Sequence, residues 1–344
     1  MINKTRDGVV YFVIFFLIGI FQDCIAAAQI DSEKSNITIG FSLGTRREER
    51  WLRDQKLFTE KVKELGGAVN IKFANNDSIL QMSQAENLIM QGVDILVIVP
   101  HDGETAADIV AMAHNEGIKV IAYDRLIKNC DLDFYVSFDN VMVGELQAKS
   151  ILSVIDRGDF AYIGGSQNDH NSYLVKNGTF NIIQPIINNG HINLVLDTFT
   201  EDWRPDIAFD HLKAYLEKNK HIDAVICAND GTAFGAIQAL KEYELAGKVP
   251  VSGQDAELPA CQRIVQGLQT VTVYKPIRLL AEKAAQIAML IAQRKAVEPN
   301  KTIYNGAIEV PSYLIDPIAV TKENMDDTII KDGFHSREDV YIKN

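Results

Sequence analysis

Arg50-Trp51, Asp124-Arg125, Asn229-Asp230, Gln254-Asp255 and Lys275 share a setting. Each is a small polar cluster, and each follows an apolar run of strand character, at residues 37–43, 120–123, 224–228, 251–253 and 271–274. In an open parallel α/β sheet, ligands bind outside the carboxyl ends of the strands, so these clusters are expected to converge on one cleft. Asp only accepts hydrogen bonds, Arg and Lys only donate, and Asn does both. A set made of Arg50, Asp124, Arg125, Asn229, Asp255 and Lys275 therefore covers both senses around a small ring. Its charged members can also pair with one another, which lowers the cost of burying them. Trp51 and Trp203 are the only tryptophans in the chain, and each lies beside one of the proposed site segments. A flat indole suits a ring face that carries C–H bonds. The combination fits a small, neutral, polyhydroxylated ligand such as a sugar better than a phosphate, a metal or a nucleic acid.

Taken singly, each signal has a plainer reading. Trp51, near the start of a helix, reads as readily as a core residue. Asp124-Arg125 reads as a turn with a solvated ion pair, and Lys275 before Pro276 as a strand-to-helix corner. Asn229-Asp230 reads as a helix cap, with Asp230 as the capping residue. Motifs for catalysis are missing. No G-x-G-x-x-G follows a strand, and there is no Walker loop, nucleophile elbow or calcium loop. Gly164-Gly165-Ser166 after a strand reads as a tight turn. The histidines, at 101, 114, 170, 191, 211, 221 and 335, are dispersed without ligand spacing.

The elements that would position the clusters alternate along the chain. Strands are expected at residues 37–43, 69–74, 95–100 and 119–123, with helices at 49–65, 79–91 and 105–116 between them. A β run at 134–138 follows, and the pattern restarts. The second set has strands at 160–163, 192–199, 224–228, 250–253 and 270–274, and helices at 140–155, 169–189, 205–218, 232–243 and 256–266. An Ala-rich helix spans 276–294, and the tail has β-like pieces at 307–310 and 318–321. Several strand runs are apolar throughout, as expected of strands buried on both faces. The intervening helices imply right-handed crossovers and parallel sheets. Two βα sets of similar size, with an extended break near residues 137–140, make two lobes with a cleft between them.

Length and composition agree. The chain's 344 residues are enough for two α/β lobes, and a net charge of −12 argues against nucleic acid as a partner. The start of the chain stands apart. Lys4 and Arg6 precede an apolar stretch at residues 9–21, followed by Ala26-Ala27-Ala28. This is the form of a secretory leader, residues 1–28, cleaved after Ala28. The apolar stretch is shorter than the ~20 residues of a membrane-spanning helix. Asp23 before Cys24 fits a lipid-attachment site poorly. Removing the leader leaves Cys130, Cys227 and Cys261, which is neither a disulfide framework nor a zinc set. Cys227 reads as a small core residue.

Motifs in order along the chain carry a resemblance. They are Glu49-Arg50-Trp51, Ala122-Tyr123-Asp124-Arg125, Phe138-Asp139-Asn140, Ser252-Gly253-Gln254-Asp255-Ala256, Thr272-Val273-Tyr274-Lys275-Pro276 and Lys331-Asp332-Gly333-Phe334-His335. With them, residues 37–335 resemble the periplasmic sugar-binding proteins of ABC importers, in the branch that takes D-xylose. The resemblance implies a type I periplasmic binding protein: two Rossmann-like lobes with parallel sheets, joined by a three-crossing hinge. One lobe would hold residues 36–137 and 276–311, the other 138–275 and 312–344. It implies that Trp51 and Trp203 sandwich a pentopyranose. Arg50, Asp124, Arg125, Asn171, Asn229, Asp255 and Lys275 would bond its hydroxyls. His170, Tyr173, Lys176 and Phe199 depart from the family's pattern and are expected to tune the range of sugars. No cofactor and no metal are implied. The expected partners are D-xylose and an ABC transporter permease, for a monomeric, non-enzymatic receptor in the periplasm. A sensory receptor that presents the sugar to a membrane histidine kinase or chemoreceptor shares every one of these features. A transcription regulator of the same fold would carry a helix-turn-helix where the leader stands. A sugar-modifying enzyme would need a nucleophile or metal set beside the Asp and Arg clusters.

Overall fold

The computed structural model describes residues 37–48 and 50–342. The leader at residues 1–28 and Glu49 lie outside the described residues. No helix among the described residues is long and apolar enough to cross a membrane.

The first lobe opens with β1 (Thr38–Leu43), α1 (Arg50–Glu64), β2 (Ala68–Phe73), α2 (Ser78–Met90), β3 (Ile95–Val99), α3 (Ala107–Asn115), β4 (Lys119–Tyr123) and β5 (Phe134–Phe138). The second is built of α4 (Asn140–Leu152), β6 (Gly158–Gly164), α5 (His170–Asn188), β7 (Ile192–Phe199), α6 (Pro205–Asn219), β8 (Ala224–Cys227), α7 (Asp230–Glu242), β9 (Ser252–Gln254), α8 (Leu258–Val265) and β10 (Val271–Tyr274). The chain then returns to the first lobe with α9 (Ile277–Ala292), β11 (Lys301–Tyr304) and β12 (Glu309–Ile315), and ends in the second with β13 (Ile318–Val320) and α10 (Arg337–Val340).

The first sheet runs β2-β1-β3-β4-β5-β12-β11. In the second, β7-β6-β8 and β9-β10-β13 meet through one bridge, Val225 to Val251. Each lobe thus places its first five strands in the order 2-1-3-4-5, the doubly wound arrangement whose ligand crevice lies at the strand carboxyl ends. The pairing is parallel except at β11–β12 and β10–β13. β3 shows why these runs are strands: Ile-Leu-Val-Ile-Val is buried on both faces between two layers of helices. Helix starts are set by side-chain caps. Asp77, Asp139 and Asn229 accept from Leu80, Met142 and Thr232 amides. α4 and α5 cross at contact distance. A Cβ on Gly144 would lie 1.9 Å from the Val175 carbonyl, and one on Gly178 1.9 Å from that of Val141. That crossing fixes the start of α5, which carries Asn171.

Three crossings join the lobes, after Phe138, after Tyr274 and after Ile315. The last falls later than the expected boundary between residues 311 and 312. Ser312 to Ile315 still pair with Tyr135 to Phe138, so β12 stays in the first sheet to its end. β11 was not legible as a strand, because it is a short, largely exposed edge of Lys-Thr-Ile-Tyr with no apolar run. Cys227 is buried, as expected.

Candidate functional site

Strand ends from both lobes meet at one cavity. It is lined by Glu48, Arg50, Trp51, Asp124, Arg125, Asp169, Asn171, Trp203, Asn229, Gln254, Asp255 and Lys275. All nine residues expected from the sequence are in that lining. The space it encloses, including the part open to solvent, is about 320 Å³.

Arg50, at the first turn of α1, is the centre of the charged network. Its guanidinium lies 2.8 Å from Asp124, 3.2 Å from Asp54 and 3.5 Å from Asp255. Tyr123 donates its hydroxyl to Asp54 from behind. Burial works against the Arg50 charge, but the carboxylates of Asp124, Asp54 and Asp255 outweigh it and raise its pKa well above the ordinary value. Asp124 is governed the same way. Burial pushes its pKa up, Arg50, Lys275 and Arg125 pull it down more strongly, and the group stays ionised.

The backbone at Asp124 is left-handed, with φ of 63°. Such a conformation is costly for a non-glycine residue and persists only where the surroundings over-determine it. Here they do. The Asp124 amide donates to Val136, and its carbonyl accepts from Tyr135, Ser137 and Asn171 at 2.7–3.1 Å. Asp255, at the end of β9, repeats the arrangement with φ of 90° and its amide on Val273. Its carboxylate pairs with Lys275 at 2.9 Å.

Arg125 does not form a solvated pair with Asp124. Its Nε donates to Asp169 at 2.9 Å, and both side chains are buried. Asp169 caps α5 through the Asn171 amide and also accepts from the Trp203 indole at 3.2 Å. Trp51 donates its indole N–H to Glu48, and its ring lies under the Arg50 guanidinium at 4.5 Å and near that of Arg125 at 5.4 Å. Trp203 sits on a tight turn with Asp202, both residues left-handed, and its ring packs directly on Gly165, where a Cβ would come within 2.3 Å.

The expected cap at Asp230 is corrected by the structure. Asn229 is the cap, in a reciprocal box with Thr232. Asp230 instead is fully buried and accepts from Gln269, Thr272 and the Glu257 amide at 2.7–3.0 Å. Burial raises its pKa to about 7. His170, Tyr173, Lys176 and Phe199 are not in the lining. Lys176 pairs with Asp197 at 2.6 Å and covers Phe199, which packs against Tyr173.

Glu48 and Asp169 line the cavity without a site signal in the sequence, and Gln254 lines it beside the expected Asp255. Asp169 had the look of a helix start and is one, so its second role was masked by the first. Glu48 stands three residues before Trp51, a spacing that faces it on a helical turn. Gln254 belongs to the Gln254-Asp255 cluster, in which an uncharged amide is the weaker signal beside a carboxylate.

Direct hydrogen bonds cross the cleft at its mouth as well as within it. Arg47 donates to the Asp202 carbonyl at 2.6 Å, Asn76 to the Asp202 carboxylate at 3.4 Å, and the Gly103 amide to the Asn168 carbonyl at 3.3 Å.

Comparison with known proteins agrees with this architecture. A protein of Haemophilus influenzae, the D-xylose-binding periplasmic protein, is 48% identical over 311 residues, covering 90% of this chain and 94% of that protein. The protein of that name from Escherichia coli is 44% identical over 312 residues, with the same coverage of 90% and 94%. A solved ABC transporter solute binding protein from Clostridium phytofermentans, with bound β-D-glucose, superposes with a TM-score of 0.81 at 28% identity, over 88% of this chain and 99% of that one. The periplasmic binding protein domain matches residues 39–296. With two doubly wound lobes, a three-crossing hinge and a polar cavity between them, the chain belongs to the periplasmic binding protein family.

Proposed function

We propose that this protein is a receptor that binds D-xylose between its lobes and delivers it to the permease of an ABC importer. The observation that carries the reading is the charge pairing of the cavity. Each cation in the lining has its own carboxylate: Arg50 with Asp124, Arg125 with Asp169, and Lys275 with Asp255. A phosphate or carboxylate ligand would have to displace one of these partners. A neutral sugar instead finds donors and acceptors fixed around it, which is how a buried hydroxyl is satisfied. Trp51 and Trp203 supply apolar faces for the ring, and Asn171 and Asn229 complete the polar set. The names of the relatives from Haemophilus influenzae and Escherichia coli point to the pentose. Export to the periplasm would use the basic and apolar leader, so the mature chain should start at Gln29.

A calorimetric titration of the purified mature chain tests the reading. D-xylose should bind with one site per chain, more tightly than D-ribose, L-arabinose or D-glucose, and should be recovered unchanged. Turnover of the sugar, or no heat with any of the four, would refute it.

A further inference from the structure

Gln254 ends β9 immediately before the left-handed Asp255, lines the cavity and is 3% exposed. Its side-chain amide forms no hydrogen bond with any described residue, and its Oε1 is fully buried without a partner. Among the lining residues it is alone in this. The side chains of Glu48, Arg50, Trp51, Asp124, Arg125, Asp169, Asn171, Trp203, Asn229, Asp255 and Lys275 each hold at least one protein partner. The corresponding position in the other lobe makes the contrast plain. Tyr123 ends β4 before the left-handed Asp124, but it faces the core and donates to Asp54.

A buried polar side chain without a partner is rare and calls for a cause. The chemistry of the group says what the cause would be. A carboxamide has a donor end and an acceptor end, and a hydroxyl is also donor and acceptor. The charged lining groups each offer one sense only, and part of that capacity is spent on one another. We propose that Gln254 is a specificity-determining contact, taking one ring hydroxyl of the bound sugar through its carboxamide. This rests on the reading of the cavity as a sugar site.

The test is Gln254→Met, which keeps the volume of the side chain and removes its hydrogen bonds. D-xylose and analogues each lacking one hydroxyl are titrated against the wild-type and variant proteins. The variant should bind D-xylose roughly tenfold more weakly, the size of one unmade buried hydrogen bond. For a single analogue, the one missing the hydroxyl that Gln254 meets, the wild-type to variant ratio should fall to near one. A ratio near one for D-xylose itself overturns the proposal. So does an equal loss across every analogue, which would mean an indirect effect on the cavity wall. Melting curves check that the fold is kept. Should Gln254→Met fail to fold, Gln254→Asn withdraws the same amide by one methylene and gives the same comparison. Failure of the wild-type protein to bind any sugar would overturn the sugar reading itself, and is seen without any substitution.

Discussion

Asp124 and Asp255 end the fourth strand of their respective lobes, both in left-handed backbone, both with the amide on the neighbouring strand. Their surroundings differ. Asp124 is 2% exposed, 2.8 Å from Arg50, bonded by Asn171, and anchored through three hydrogen bonds to its own carbonyl. Asp255 is 8% exposed, held by Lys275 and only at 3.5 Å by Arg50. The first lobe therefore presents a wall already fixed by its own ion network. The second presents groups that are positioned mainly by helix starts and by contacts reaching across the cleft. Repeating one strand order twice does not produce two equal half-sites.

Removing the better-anchored acid should have the largest effect. Asp124→Ala takes from Arg50 its nearest buried acceptor, and losing one partner of such a pair costs on the order of 2–5 kcal/mol, so affinity for D-xylose should fall roughly thirtyfold or more. Asp255→Ala should lose less, roughly tenfold, because the site there is more exposed and less interlocked. Calorimetry on both variants decides it; an equal or greater loss at Asp255 would erase the asymmetry.

Asp124 and Asp230 should also respond oppositely to pH. The depressed pKa of Asp124 contributes stability that is present above the carboxylate's ordinary 3.8 and is lost only as pH falls through the folded value, below that point. Asp230, in the second lobe, has the reverse sign. Its carboxyl is raised by burial to about 7, so the folded chain holds a proton that the unfolded chain has released. That contribution is complete below 3.8 and is lost as pH climbs through about 7. Glu257, raised to about 8 by burial and then by Asp230, acts in the same direction. Stability should thus decline between pH 5 and pH 7 by about 2–3 kcal/mol from Asp230 alone, at ~1.4 kcal/mol per pH unit, with Glu257 adding to the same slope. Asp230→Asn should reduce that slope in melting curves, leaving the share of Glu257, while Asp124→Asn should leave it intact. A slope unchanged by Asp230→Asn would assign it elsewhere.

The smallest effect is expected at the mouth of the cleft. Arg47 and Asp202 face each other at 3.7 Å but are partly exposed, and exposed pairs are worth about 0–1 kcal/mol. Arg47→Ala should weaken binding threefold or less, with a faster release rate in stopped-flow measurements. A loss approaching that of Asp124→Ala would move the main latch from the cavity wall to the rim.

The legible part of this molecule is the part where one chemical signal has one cause. Apolar runs such as 120–123 and 271–274 stop where the sheet stops, and the polar residues after them, Asp124 and Lys275, line the cavity. Residues with two duties were harder to read. Asp169 caps a helix and holds both Arg125 and Trp203. Asn229 takes the cap expected of Asp230 while also lining the cavity, since the capping geometry selects the residue just outside the first turn. The edge strand β11 carries no burial pattern at all, and only its pairing with β12 makes it a strand.

Trp51 and Trp203, one from each lobe, line a single cavity, and the chain has no other tryptophan. Every photon of indole emission from this protein therefore originates at the proposed sugar site, with no distant fluorophore to dilute it. The two rings also lie in unlike electrical surroundings: Trp51 beneath two guanidinium groups, Trp203 on a glycine with its N–H on a carboxylate. Excited beyond the tyrosine band, the molecule is an unlabelled optical reporter of its own occupancy, and substituting either indole by Phe would read the lobes one at a time.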